Sequence, residues 1–134
     1  MKNIITLLTL TCVFNLYAQQ QAPPQGINYQ AVAIDNDGKE MVGVDLKGMP
    51  VAEKEIRVRF SILKDSETGT LNYREQHLVT TDAYGLFNVI IGHGIEDASP
   101  IAFDQIDWGT GYHFLKVEID IKGGTAYKDM GTQQ

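Results

Sequence analysis

Two stretches of period-two alternation constrain the fold of this chain more than any other feature of its sequence. From Lys54 to Leu63 apolar residues occupy every second position, and from Tyr112 to Ile121 the same pattern returns. Successive side chains of a β-strand point to opposite faces of a sheet. Each stretch therefore predicts a strand with one face on a core and a charged face in water. The predicted inward residues are Ile56, Val58, Phe60, Ile62, Leu115, Val117, Ile119 and Ile121, and the predicted outward residues are Arg57, Arg59, Ser61, Lys116, Glu118 and Asp120.

Four weaker patterns add further strands. Residues 27–34 and 86–91 are rich in β-branched and aromatic residues, residues 70–81 alternate less regularly, and a short strand begins at Tyr127. The residues expected on one face of the second and third of these patterns are Phe87, Val89 and Ile91, and Tyr73, Glu75, His77 and Val79. The helix signal is confined to Ser99–Pro100, which suits the start of a single turn.

Short strands separated by glycine-containing turns are typical of sheets packed face to face. The sequence therefore predicts an all-β fold, an antiparallel β-sandwich of the immunoglobulin-like or transthyretin-like kind, over residues 26–134. We interpret Asp35–Glu53 as a long loop or an extra hairpin. We also expect the closing C-terminal strand to be missing and the chain to be the front part of a longer protein, with a frayed natural terminus as the alternative. An open edge of this kind can pair with another chain or with a missing C-terminal segment.

The first 18 residues have the form of a signal peptide. Lys2 precedes an apolar run from Ile4 to Phe14, and Ala18 lies just before a polar break. The run is shorter than the roughly 20 apolar residues of a membrane-spanning helix, so an uncleaved anchor or a buried helix is the alternative. We expect cleavage after Ala18, a flexible lead-in over residues 19–25, and a secreted or cell-surface protein. Cys12, the one cysteine, would leave with the peptide, unless it is a lipoprotein cysteine.

The charge balance narrows the classes of partner. The chain has 11 Lys and Arg residues against 17 Asp and Glu residues, a formal net charge of −6. Phosphate backbones are bound by clustered positive charge, so no nucleic-acid partner is expected. An exported chain without disulfides depends on its packed core for stability.

A series of sequence blocks resembles a known secreted module. The blocks are Gln25–Ala33 (QGINYQAVA), Val58–Ile62 (VRFSI), Thr80–Phe87 (TTDAYGLF), Ile91–Gly92, Ile106–Trp108 (IDW) and Leu115–Asp120 (LKVEID). In this order they resemble the amino-terminal β-sandwich module of large secreted and cell-surface proteins of the Bacteroidetes type, over about Gln25 to Thr132. The resemblance implies a non-catalytic module behind a signal peptide, ahead of fibre-like, adhesive or repeat regions. Relatives continue with an apolar segment of leucine, then valine-proline-tyrosine-alanine, and lack the extra length between Asp37 and Pro50.

Candidate chemistry is sparse, and no cofactor or metal is expected. His93, Glu96 and Asp97 could together bind a metal ion, but we favour the interpretation that they are loop and surface residues. Asp35–Glu40 has part of a calcium-loop pattern, but the acid required at the last position of such a loop is missing. The Gly92-x-Gly94 and Gly109-x-Gly111 pairs open no helix, so we interpret them as turns rather than phosphate loops. Serines 61, 66 and 99 lie outside any nucleophile motif.

The aromatic residues give the one candidate binding site. Trp108 is expected to cap the core, as large aromatic side chains usually do. The alternative is that Trp108, with Tyr112 and Tyr84, forms a platform for a carbohydrate or peptide. The function predicted from the sequence is a non-catalytic structural or adhesive module, with carbohydrate or peptide binding as the alternative and a hydrolase as a third candidate. Because of the predicted strand faces, Phe60→Ala should cost about 3–5 kcal/mol of stability and Arg59→Ala little.

Overall fold

A computed structural model of the chain describes residues 25–35 and 48–134. Within them the fold is all-β and antiparallel, as predicted. The strands are β1 (Ile27–Val32), β2 (Ile34–Asp35), β3 (Met49–Pro50), β4 (Glu55–Lys64), β5 (Thr70–Thr80), β6 (Leu86–Ile91), β7 (Ile95–Glu96), β8 (His113–Asp120) and β9 (Lys128–Gln133). The predicted signal peptide, most of the lead-in and residues 36–47 of the predicted loop lie outside the described residues.

Two sheets and a short hairpin make up the described fold. The larger sheet has five strands in the order β7-β5-β4-β8-β9, and the smaller sheet pairs β1 with β6. The hairpin pairs β2 with β3, so part of the predicted irregular region is a hairpin. Bulges interrupt the β4–β5 register between Ile62 and Leu63 and the β8–β9 register between Val117 and Glu118.

The core lies between the two sheets, on the faces that the alternation predicted. Ile56, Val58 and Phe60 of β4 are fully buried. Tyr29 of β1 packs edge-on against Phe60, with ring centroids 4.8 Å apart. The same tyrosine also contacts Phe87 of β6, at 6.2 Å. The inner faces of β1, β4 and β6 therefore meet in a face-to-face sandwich.

The charged outer face of the larger sheet is less exposed than the sequence indicated. Glu118 is 8% exposed and Asp120 is 6% exposed, so the expectation of a wet face is wrong for β8. The turn after β8 covers this face because Asp120 accepts hydrogen bonds from the amides of Lys122 (2.9 Å) and Ala126 (2.9 Å). Arg57 Nε also donates to the carbonyl oxygen of Gly123 (3.1 Å).

The helical turn begins later than the sequence suggested. A 3₁₀ turn spans Phe103–Gln105. Ser99 caps no helix, because its hydroxyl accepts from the amide of Arg74 (2.8 Å) and donates to the carbonyl of Arg74 (2.6 Å). The serine therefore extends the edge of the sheet beside β5. No helix in the described ranges has the length and apolar content needed to cross a membrane.

Candidate functional site: a trough beside an unpaired strand edge

The smaller sheet covers only part of the larger one. Tyr29 places β1 over Phe60 of β4. The amide of Gly92, directly after β6, donates to Glu75 of β5 (3.0 Å), so β6 lies on the β5 side of β1. Within residues 25–35 and 48–134, no strand lies on the other side of β1. Val117 and Ile119 of β8 are nevertheless buried in the core, so the open strip alongside β1 consists of the Leu115 end of β8 and of β9.

This open strip is a trough bounded by β1, β8 and β9, which we call the β1 trough. It contains two cavities of about 270 and 210 Å³ that adjoin at Leu115 and Gln133. The lining residues are Ile27, Tyr29, Ile62, Trp108, His113, Phe114, Leu115, Val117, Met130, Gly131, Thr132, Gln133 and Gln134. No Asp, Glu, Lys or Arg is among them, although the chain carries a net charge of −6. The trough is therefore suited to an uncharged occupant.

The edge of β1 that faces the trough carries backbone groups without a strand partner. The amide of Ala33 donates to the carbonyl of Gly85 (2.9 Å), which marks the residues of β1 that bond to β6. In an antiparallel pair such residues alternate with residues whose backbone groups point away from the partner. The amides of Asn28, Gln30 and Val32 therefore point away from β6, towards the open side. In the described chain, β6 is the sole strand paired with β1.

Two buried ring nitrogens lie in the residues at one end of the trough. Trp108 Nε1 and His113 Nε2 are buried and have no hydrogen-bond partner among the described residues. Their rings lie together, with centroids 5.1 Å apart. The indole also packs edge-on against Phe103, at 5.6 Å. Trp108 thus rests on the core and lines the cavity at the same time.

The other two aromatic residues of the predicted platform lie elsewhere. Tyr112 is at the same end of the sandwich as Trp108, is 64% exposed, and is not among the residues that line the trough. Tyr84 is 77% exposed in the turn before β6. Leu86 pairs with Val32 at one end of the smaller sheet and Ile91 pairs with Ile27 at the other. Five residues of strand separate these ends by roughly 17 Å, so Tyr84 and Trp108 do not share one platform.

The inner face also holds a polar cluster that the sequence analysis passed over. Glu75, opposite Phe60 in the β4–β5 register, is fully buried. Its carboxylate accepts hydrogen bonds from Tyr73 (2.7 Å), His77 (2.8 Å), the amide of Gly92 (3.0 Å) and the amide of Gly94 (2.8 Å). The signal was available, since the alternation in residues 70–81 put this acid on the same face as an aromatic and a valine.

The hydrogen bonds around Glu75 shift two pKa values. Burial raises the pKa of the Glu75 carboxyl, but the bonds from His77, Tyr73 and the two amides outweigh it, so the pKa lies below its ordinary value. Burial and the bond to this carboxylate raise the pKa of Tyr73. A charged carboxylate with four donors is fully satisfied, and its effect is to tie the loop after β6 to β5.

In this loop, position 92 requires glycine. Gly92 has a φ of +101°, and a Cβ at this position would lie 2.7 Å from the Phe103 ring. Gly92→Ala should therefore lower the free energy of unfolding by about 1–3 kcal/mol, through strain and displacement of the ring. Gly109→Ala is the matched control, since its Cβ would meet nothing closer than 3.5 Å. Urea denaturation of both variants measures the difference, and equal losses would contradict it.

A second polar cluster lies on the outer face of the larger sheet. Arg59 donates two hydrogen bonds to Glu118, of 2.9 and 3.0 Å, and its guanidinium lies 4.1 Å from the centre of the Tyr127 ring. Lys116 makes ion pairs with Glu118 and with Asp129 of β9, both at 3.4 Å. Burial raises the pKa of Glu118, but the Arg59 hydrogen bond outweighs it, so the pKa is lowered. These contacts fasten β9 and the preceding turn to the sheet.

The pairing of Arg59 changes the expectation for its replacement. Arg59→Ala removes both guanidinium hydrogen bonds to the nearly buried Glu118 carboxylate, which keeps only Lys116 at 3.4 Å, and it uncovers Tyr127. We therefore expect a loss of about 1–3 kcal/mol of stability. Glu67→Ala, at an exposed acid in the turn after β4, should cost less than about 0.5 kcal/mol. Chemical denaturation of both variants checks this, and a negligible loss at Arg59 would refute it.

The three histidines lie in three different environments. The His93 ring bonds to the carbonyl of Gln25 (3.0 Å), His77 belongs to the Glu75 cluster, and His113 lines the trough. No group of three or more His, Cys, Asp or Glu side chains in the described ranges is arranged to hold a metal ion. Apart from Asp35, the residues of the calcium-loop pattern (36–40) lie outside the described residues.

A family model with the description "Domain of unknown function (DUF8740)" matches residues 28–132. No curated protein and no solved structure matches the chain. The matched range begins within β1 and ends within β9, so it contains both strand edges that border the trough.

Proposed function

The chain belongs to the DUF8740 family, and we propose that this member is a non-catalytic structural or adhesive module of an exported protein. On this proposal the domain performs no reaction. It acts mechanically, by joining its incomplete sandwich to another polypeptide and by holding that polypeptide in place. The family description assigns no function, so the proposal depends on the sequence and the geometry of this chain.

The single observation that carries the proposal is the β1 trough. A strand edge with three outward amides lies beside an uncharged strip of the larger sheet. Exposed edges of this kind are normally blunted by charge, proline or a covering element, because they pair readily with other chains. On the opposite side of the trough, β9 presents Met130, an apolar side chain that is 46% exposed. Such an edge fits a surface that another polypeptide covers.

The polar clusters support a structural role. Each carboxylate oxygen of Glu75 accepts two hydrogen bonds from the domain itself. Arg59 is bonded to Glu118 and covered by Tyr127. Perturbed pKa values at a catalytic site serve groups that face a substrate. In this domain the groups with shifted pKa values at both clusters hold strands and turns together.

Export is the second part of the proposal. The pattern of residues 1–18, with Lys2, an apolar run and Ala18, supports a cleaved signal peptide. Fractionation of cells that make the full chain should find it outside the cytoplasm. Mass spectrometry of the exported protein should show Gln19 as its first residue. A cytoplasmic protein that retains Met1–Ala18 would contradict this part.

Photocrosslinking tests whether the trough holds a polypeptide. A photoreactive phenylalanine analogue at Met130 should crosslink the exported chain, in its native setting, to a polypeptide whose attached peptide is identified by mass spectrometry. The matched control places the analogue at Met49, which is 50% exposed on β3 and does not line the trough. No polypeptide at Met130, equal yields at both positions, or a glycan as the adduct would contradict the proposal.

A further inference from the structure

Within the described chain, one segment covers the edge of β5 that faces away from β4. The segment comprises residues 92–101, between β6 and the 3₁₀ turn, and we call it the edge cover. We propose that it is acid-sensitive: it stays on β5 while the buried Glu75 carboxylate is charged, and it detaches as a unit when that carboxylate takes up a proton. Detachment frees backbone groups of β5 that are otherwise paired. The edge cover lies on the other side of the larger sheet from β8 and β9, so this property goes beyond the proposed function and does not depend on it.

Hydrogen bonds hold the edge cover along β5. Its middle forms β7, which pairs with β5. Further along, the amide of Asp97 donates to the carbonyl of Arg74 (3.0 Å), and the amide of Ile101 donates to the carbonyl of Asn72 (3.3 Å). In the described chain, β7 is the one strand on this side of β5. Detachment of the edge cover therefore leaves these backbone groups of β5 as an unpaired strand edge.

Side-chain packing contributes little to this attachment. None of the residues from 92 to 101 is buried, and Ile95 of β7 is 67% exposed. Within the edge cover only Ile101 packs against the core, while Ile91 and Phe103, on either side of it, are buried in the core. Segments with few buried apolar contacts open at a lower free energy than core strands do. The edge cover can therefore open between its two buried anchors while the sandwich stays folded.

The buried attachment of the edge cover is a charged group. The amides of Gly92 and Gly94 donate to the two oxygens of the Glu75 carboxylate, at 3.0 and 2.8 Å. Hydrogen bonds to a charged acceptor are roughly twice as strong as those between neutral groups. A protonated carboxyl also uses one oxygen as a donor, so it can no longer accept equally from all four of its present donors. Uptake of a proton therefore weakens the bonds that hold the edge cover.

The groups that face Glu75 fix the direction of the pH effect. On β5 these are Tyr73 and His77, which donate to the carboxylate at 2.7 and 2.8 Å. Opposite it in the two registers, β4 places the uncharged Phe60 and β7 places Glu96. Burial raises the pKa of Glu75, but the bonds from His77, Tyr73 and the edge cover outweigh it, so the pKa lies below 4.5. The closed state is therefore fully favoured above about pH 4.5 and loses this advantage as the pH falls through the lower, folded value.

Residue-resolved amide exchange of the purified chain tests the inference, with each rate compared with that of an unfolded amide at the same pH. Between about pH 6 and about pH 3, the protection of Asp97 and Ile101 should fall at least about tenfold, as expected when hydrogen bonds to a charged group are weakened. These two amides bond to β5 and not to Glu75, so they report movement of the whole edge cover. Val58 and Phe60 should stay protected, because β4 is paired on both sides.

Two variants assign the effect to the buried carboxylate. Glu75→Gln removes the charge, so at about pH 6 it should already show the low protection of Asp97 and Ile101 and should lose the pH dependence. Asp97→Asn is the matched control, since it removes the exposed ion pair of 3.7 Å with Arg59 and should keep the pH dependence of the wild type. If Glu75→Gln does not fold, the comparison of the edge cover with β4 in the wild type still decides the outcome.

Three results would overturn the inference. Loss of protection at Gly92 and Gly94 alone would show that their bonds break while the edge cover stays on β5. An equal loss in β4 at the same pH would show that acid unfolds the whole domain and that the edge cover has no separate opening. A pH dependence that persists in Glu75→Gln would assign the change to another group, such as His77. The crosslink at Met130 is unaffected by any of these results, so the proposed function is tested separately.

Discussion

Replacing Phe60 by alanine should lower the free energy of unfolding by about 3–5 kcal/mol, the range for emptying a buried aromatic position. Phe60 is fully buried at the point where β1 crosses β4. Its ring packs edge-on against Tyr29 at 4.8 Å and against His77 at 5.7 Å. The substitution removes both ring contacts, each worth about 0.5–1.5 kcal/mol beyond the buried area. Urea denaturation with a shared slope for variant and wild type gives the change directly.

Phe114→Ala is the matched control for this measurement. Phe114 is also on the larger sheet but only partly buried, at the wall of the β1 trough. Its replacement should cost clearly less than that of Phe60, because fewer contacts are lost and the space opens to solvent. If both substitutions cost the same, the core does not lie between β1 and β4 as described.

Glu75→Gln should cost about 2–6 kcal/mol at neutral pH. Each carboxylate oxygen of Glu75 accepts two hydrogen bonds. The amide group of glutamine keeps one acceptor oxygen and turns its NH₂ towards two buried donors. Each unsatisfied donor costs about 1–3 kcal/mol. Glu96→Gln, at the exposed neighbour opposite Glu75 in the β5–β7 register, should change stability by less than about 0.5 kcal/mol.

The same carboxylate predicts a pH dependence with a defined sign. The pKa of Glu75 in the folded chain lies below its ordinary value of 4.5, since the hydrogen bonds from His77 and Tyr73 outweigh the effect of burial. The stabilisation is therefore fully present above about pH 4.5 and is lost as the pH falls through the folded value. The difference in unfolding free energy between wild type and Glu75→Gln should shrink on acidification. A difference that grew in acid would contradict the lowered pKa.

The alternation of the sequence could predict which residues form the core, because strand geometry is local. Side chains of β4 must alternate between faces whatever surrounds them, so Ile56, Val58 and Phe60 were assigned inward from the sequence and are buried. Glu118 lies on the outer face as predicted, but the expectation that this face meets water failed there. Its burial depends on Arg59, which lies 59 positions away in the sequence and is brought opposite it by the β4–β8 register.

The candidate site was predictable only in part. The aromatic residues drew attention to Trp108, which lines the trough, but a list of aromatics could not tell that Tyr84 lies at the far end of the smaller sheet. The trough itself has no signature in the sequence. Its wall combines residues of β1, β8 and β9. It exists because the core buries Val117 and Ile119 of β8 but leaves Leu115 and most of β9 only partly covered.

The sequence by itself determined that the chain forms strands and which of their faces point inward, because a two-residue period places all the apolar side chains of a strand on one face, which must be buried. Only the tertiary structure decided how many strands face each other, which acids are buried and paired, and which edge is left without a strand. These properties depend on contacts between segments far apart in the chain. The stabilising contacts behind them depend on strand register and on which sheet covers which, and no local sequence pattern encodes either.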